Sequence, residues 1–153
     1  MPPHLYVRIM KKFILFWAII ILVISCGSSS SEYKTEESTE TVSVTVIEGS
    51  ESWDGSALPQ YPEGTPKVTL LKITIPPKAK LDVHLHPIIN VGYMTKGELV
   101  VTSETGEKLH LKTGDGIIEL VNKYHYGENP NDEIAEIIVF YVGDPESVLT
   151  VYK

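Results

Sequence analysis

From Val42 to Lys153 the chain is cut by turn residues every eight to twelve positions, and the runs between the turns are short and strand-like. These runs are 42–47 (VSVTVI), 68–75, 81–86, 90–95, 98–103, 108–113, 116–121, 136–142 and 148–152. β-Branched and aromatic residues dominate them, and alternation is frequent. No stretch in this region carries a 3.6-residue apolar stripe long enough for a substantial helix. Gly49–Pro66 holds several Gly and Pro residues and reads as an ordered loop. No internal repeat is visible. At 153 residues the chain fits one domain better than two. The pattern predicts an all-β domain over 42–153: a sandwich, a jelly roll or a small barrel.

The N-terminus has a different character. Residues 1–25 carry Arg8, Lys11 and Lys12 and no acid, and Phe13–Ile24 is a run of twelve apolar residues. Roughly twenty would span a bilayer comfortably. A basic start, a short apolar run and a small residue describe a secretory signal helix. Next comes Cys26, the only cysteine, in Val23-Ile24-Ser25-Cys26. This resembles a bacterial lipoprotein lipobox, which implies that Cys26 is lipidated and becomes the mature N-terminus. The chain would then sit at the cell envelope, held to the membrane by that lipid. The alternative is an uncleaved signal anchor with an incidental cysteine. Met10-Lys11-Lys12-Phe13 is a more usual start for such a signal than Met1-Pro2-Pro3-His4. Residues 26–41, rich in Ser, Glu and Thr, form a flexible, disordered tether.

One cysteine excludes an internal disulfide framework and a Cys-rich zinc site. A net charge of −7 argues against nucleic acid as a partner. The informative residues are histidines. His84 and His86 stand at i and i+2 of a strand-like run, so both project from one face. A third imidazole, from His125, would complete a three-nitrogen metal face with open positions. Alternatively, the three are satisfied core residues. His110 reads as a surface residue. Tyr93, Tyr124 and Tyr126 flank the histidines in sequence, and one of them is expected to reach the pocket.

The spacing resembles the two motifs of the cupin superfamily, G-x5-H-x-H-x3,4-E-x6-G and G-x5-P-x-G-x2-H-x3-N. His84, His86 and Gly97 fit the first, and Gly114, His125 and Asn129 fit the second. The resemblance covers about residues 65–142. It implies a double-stranded β-helix (a jelly-roll barrel) holding one divalent transition metal (Fe, Mn, Zn, Ni or Cu) on the three histidines and a Glu. It also allows two copies to pair through their sheets. Some positions depart from the motifs. Lys78 replaces the first Gly, which costs little if that turn needs no positive φ. Leu120 stands at the Pro. Asn122 stands at the second-motif Gly, and Asn tolerates a left-handed turn. Asn90 occupies the position of the metal-binding Glu, where a neutral amide is a poorer ligand.

An unexpected acid stands in for the missing one. Alternation over 116–121 puts Ile117, Glu119 and Val121 on one face, and in cupins the positions of Ile117 and Glu119 face the interior. Glu119 is therefore the candidate fourth ligand or catalytic base, unless a bulge turns it to solvent. Asn90, Tyr124 and Asn129 are the candidate pocket or supporting residues. The function expected is a metalloenzyme, oxygenase- or isomerase-like, acting on a small organic molecule. A non-enzymatic binder of a metal or small ligand is the rival reading.

Overall fold

Nine strands fold into two antiparallel sheets in the computed structural model, which describes residues 39–153. The strands are β1 (Lys67–Ile75), β2 (His84–Leu85), β3 (Asn90–Lys96), β4 (Glu98–Ser103), β5 (Lys108–Lys112), β6 (Gly116–Ile118), β7 (His125–Glu128), β8 (Ala135–Gly143) and β9 (Val151–Tyr152). One sheet has the order β1-β8-β3-β6 and the other β5-β4-β7-β2-β9. The described residues contain no helix, and none of them forms a helix long and apolar enough to cross a membrane. The expected signal helix, Cys26 and most of the tether lie outside the described residues.

The period-two pattern decides which side chains meet inside. Along β8, Ala135, Ile137, Val139 and Tyr141 are buried while Phe140, between them, is 42% exposed. β8 is paired on both edges, with β1 over its whole length and with β3. Its buried residues join Ile75, Met94, Ile117, Leu99, Val101 and Leu111 in one core. Each such aliphatic side chain stabilises the fold by roughly 1.5–3 kcal/mol through its burial. The core spans both sheets, so the barrel is closed by packing of their inner faces.

Gly97 turns the chain between β3 and β4 at φ 72°, just past a register shift between Met94 and Lys96. A Cβ there would lie 2.9 Å from the Ile134 carbonyl oxygen, so the turn needs glycine twice over. Asn122 adopts φ 57°, as its place in the motif suggested. Lys78 also adopts φ 57°, so this turn does need a positive φ and the condition for a cheap replacement of Gly is not met. Its backbone N–H donates to Asn131 O at 3.1 Å and its ammonium to Pro130 O at 2.7 Å. These bonds hold a conformation that costs a lysine roughly 1–2 kcal/mol.

Four strand expectations also need correction, one of them 148–152, of which only Val151–Tyr152 is a strand. Residues 42–47 form no strand, and Val42 and Val44 are 72% and 77% exposed. The Val46 and Ile47 side chains occupy the space where a Cβ on Gly116 would lie, so this segment packs without joining a ladder. The run 81–86 shrinks to His84–Leu85, and 116–121 stops at Ile118. Conversely, His125–Glu128 is a strand that composition did not flag.

The loop before β1 is ordered and pinned at three points. Ser52 Oγ donates to Glu119 O at 2.8 Å, and Trp53 N–H donates to Ile118 O at 3.0 Å. Lys123 Nζ reaches Asp54 Oδ2 at 2.6 Å. This loop thus braces both ends of the segment that leads from β6 to β7.

Candidate metal centre

His84 and His125 lie directly opposite one another across the β2–β7 pair. Opposed residues share a face, so their rings stand side by side with centroids 4.7 Å apart. His86 follows two residues after His84, beyond the end of β2, and bridges Val121 in parallel. Its ring lies 5.0 Å from that of His84 and 5.1 Å from that of His125. One ligand atom from each of the three histidines falls within 4.8 Å of the others. His86 and His125 are buried, at 4% and 3% exposure.

Each ring is oriented by a main-chain carbonyl. His84 Nδ1 is 2.7 Å from Asp82 O, His86 Nδ1 is 2.8 Å from Leu149 O, and His125 Nδ1 is 3.0 Å from Lys123 O. A carbonyl only accepts, so Nδ1 carries the proton in all three and Nε2 keeps its lone pair. Burial holds the pKa of each imidazole below its ordinary value, to about 4 for His86. At neutral pH the three are therefore uncharged donors of electron pairs, the form that binds a metal.

Glu119 follows β6, in the opposite sheet, and its carboxyl crosses the interior. It is 7% exposed, and its Oε2 lies 3.5 Å from His125 Nε2. Burial raises its pKa to about 7, against the pull of His84 and of the Leu120 N–H. Neither Glu119 Oε2 nor His125 Nε2 has a hydrogen-bond partner. Two lone-pair atoms thus face one another in a buried site without a donor between them. Such a pair is expensive unless a proton or a cation lies between the atoms. The donor set, three neutral imidazoles beside one carboxyl, fits a divalent transition metal. The carboxyl approaches one imidazole and stands outside the tight three-nitrogen group.

The site opens into a cavity of about 390 Å3. Its deep walls are aliphatic, among them Ile75, Leu99, Val101, Ile137 and Val139. Its polar lining besides the three histidines and Glu119 is Asp82, Tyr141, Thr150 and Tyr152. Tyr141 is 2% exposed, and burial lifts its phenol pKa to about 12, with Thr150 as its hydrogen-bond partner.

The remaining candidates lie elsewhere. Asn90 is 1% exposed and donates to Ile88 O at 3.3 Å, and it does not line the cavity. Asn129 spends its amide on tying the end of β1 to the loop after β7: it donates to Ile75 O, Pro76 O and Glu133 O and accepts from Asn131 N–H. Tyr124, Tyr126 and Tyr93 also lie off the cavity, contrary to the expectation that one would reach it. Tyr124 and Tyr126 instead face Lys153 and Lys80, and Tyr93 is 42% exposed. His110 is exposed. Tyr141 was findable, since it shares the inner face of β8 with Ile137 and Val139. Thr150 and Leu149 gave no signal in the sequence.

A two-sheet barrel with three histidines facing its interior has a cupin-type fold. Comparison with known proteins agrees: residues 71–141 match the family model described as Cupin domain. The DMSP lyase DddQ from Ruegeria pomeroyi DSS-3 superposes with a TM-score of 0.50 at 20% identity, over 56% of this chain and 43% of that one. A cupin-like protein from Thermotoga maritima superposes with a TM-score of 0.51 at 19% identity, over 56% of this chain and 64% of that one. In both cases the match spans less than two thirds of the other protein. At these identities the likeness is one of fold. No curated protein sequence matches the chain.

Proposed function

We propose that this chain is a metalloenzyme of the cupin family acting on a small organic molecule, with His84, His86 and His125 holding one divalent transition metal. The observation that carries the reading is the facing pair of orphaned buried atoms, His125 Nε2 and Glu119 Oε2. A bound metal would supply Lewis-acid polarisation of a substrate oxygen. The chain's own residues do the rest. The three carbonyl-locked imidazoles fix the ligand geometry. Glu119 holds or accepts a proton at Oε2, beside the substrate, as base or as additional ligand. The aliphatic walls exclude water around the reacting group.

The lipobox-like segment supports a second element of the proposal: the domain is tethered through lipid on Cys26 at the outside of a bacterial membrane. That support comes from sequence alone. The rival binder differs in having no turnover.

The test is metal content of the purified full chain, followed by oxygen uptake and product analysis on a panel of small oxygenated substrates. One metal per chain, lost in His86→Ala with the β-sheet circular dichroism kept, is expected. Full occupancy in that variant would remove the assignment. Glu119→Gln keeps the shape and deletes the charge, and should weaken metal binding or turnover more than Asn90→Ala does. Metal binding without turnover on any substrate would favour the binder.

A further inference from the structure

We propose that the cavity selects an uncharged molecule with an apolar body and an oxygen at one end, and discriminates against carboxylate anions of the same shape. This rests on the metal reading above and goes on to name the class of ligand.

The argument starts from what the lining lacks. Among the described residues that line the cavity there is no Lys or Arg. The charged groups are two acids, Asp82 at the exposed mouth and Glu119 beside the imidazoles. The lysines near this end of the barrel face other partners: Lys123 is bound to Asp54, and Lys153 stands over Tyr124. A divalent cation on the histidines would be offset in part by Glu119, whereas the side chains themselves offer an anion nothing but acids. Away from such a cation, an anionic ligand brings a charge that no side chain offsets, into walls built of Leu, Ile and Val.

The size and polarity of the space fit the same class. About 390 Å3 lies at the small end of ligand pockets. It holds roughly a dozen waters at about 30 Å3 each, enough for a single substituted ring. The polar atoms cluster at one end, where Thr150 and Tyr141 lie against the histidines. Thr150 Oγ1 is 3.5 Å from His86 Nδ1, and the Tyr141 ring stands 5.6 Å from that of His86. Ile75, Leu99, Val101 and Val139 occupy the other end. A ligand is thereby oriented, with its oxygen toward the histidines and its hydrocarbon toward the core.

The test uses an isosteric pair, 4-fluorobenzamide and 4-fluorobenzoate, titrated into the full chain by fluorine NMR. Each titration is run zinc-loaded and metal-free, with metal content measured on the same samples. The neutral amide should bind at least about tenfold more tightly than the carboxylate in the metal-free form, and zinc, which adds the one cation in reach of a carboxylate, should narrow the ratio. Leu71 lines the cavity and is 36% exposed, so Leu71→Lys adds a cation at the rim without disturbing the core. That variant should pull the ratio toward one. A metal-free wild-type ratio near one, or one favouring benzoate, would overturn the proposal. So would an unchanged ratio in Leu71→Lys. A chain that takes up no zinc would defeat the metal reading, and the metal-free ratio would still decide this one.

Discussion

Asp54→Asn tests whether the loop before β1 stabilises the barrel through a charge. Asp54 accepts hydrogen bonds from the Ser56 N–H and hydroxyl and from Lys123 Nζ. Its side chain is 7% exposed and that of Lys123 is 42% exposed. Burial by itself would raise the Asp54 pKa, but the hydrogen bonds from Lys123 and Ser56 outweigh it and lower the value from 3.8 to about 2. At about 1.4 kcal/mol per pKa unit, that lowering corresponds to a little over 2 kcal/mol of stability at neutral pH. Screening through the half-exposed lysine reduces it to about 1–1.5 kcal/mol. The sign follows from the depressed folded-state pKa. The contribution is complete above the unfolded value near 4 and is lost as pH falls through about 2, so roughly half remains at pH 3. Asn keeps an acceptor for Ser56 and loses the charge. Urea unfolding of wild type and Asp54→Asn at pH 6 and pH 3 should give a difference of about 1–1.5 kcal/mol that narrows by about half on acidification. A gap that stays constant or widens toward pH 3, or no gap at pH 6, would refute the reasoning.

Gly97→Ala combines an unfavourable left-handed conformation with a contact to a backbone oxygen, and should cost about 2–4 kcal/mol in thermal or urea unfolding. Asn129→Ala strips buried carbonyls of their donor and should cost about 2–4 kcal/mol, with metal content per folded chain unchanged because Asn129 does not line the cavity. Cys26→Ala should abolish incorporation of radiolabelled fatty acid and alter processing; equal labelling of both forms would end the lipid proposal. A chain lacking residues 27–41 should melt within a few degrees of the full chain if that stretch buries nothing.

Where the sequence was legible, periodicity met a burial contrast. The run at 136–142 became β8 because alternate positions fill the core while the others face solvent. Glu119 reaches the interior without such a contrast, since Ile117, Ile118, Glu119 and Leu120 are all buried, and it was the motif that marked its position. The run at 42–47 alternates just as well but forms no ladder, since alternation fixes which face is apolar and not whether a neighbouring edge is available. β7 was missed because His125, Gly127 and Glu128 have little strand propensity of their own, and pairing with β4 and β2 supplies what they lack. The φ of Lys78 stayed open in the sequence because the bonds that hold it run to Pro130 and Asn131, 52 and 53 positions away. The three carbonyl partners of the histidines were invisible for a simpler reason. Every residue has a carbonyl, so sequence cannot mark the ones that are used.

That anonymity gives the centre mutational robustness. The groups that fix the protonation of His84, His86 and His125 are the carbonyls of Asp82, Leu149 and Lys123. No substitution at those three positions can delete them. The barrel's topology, rather than the identity of any neighbouring side chain, transmits the orientation of the rings from one variant to the next. Only a shift of the main chain itself, such as displacement of the segment that ends in β9, would release His86. The walls of the cavity depend on side chains, and those side chains are also the core that joins the two sheets. Cavity shape and ring orientation are therefore separable traits, but remodelling the walls draws on the stability of the barrel while the three imidazoles keep their alignment.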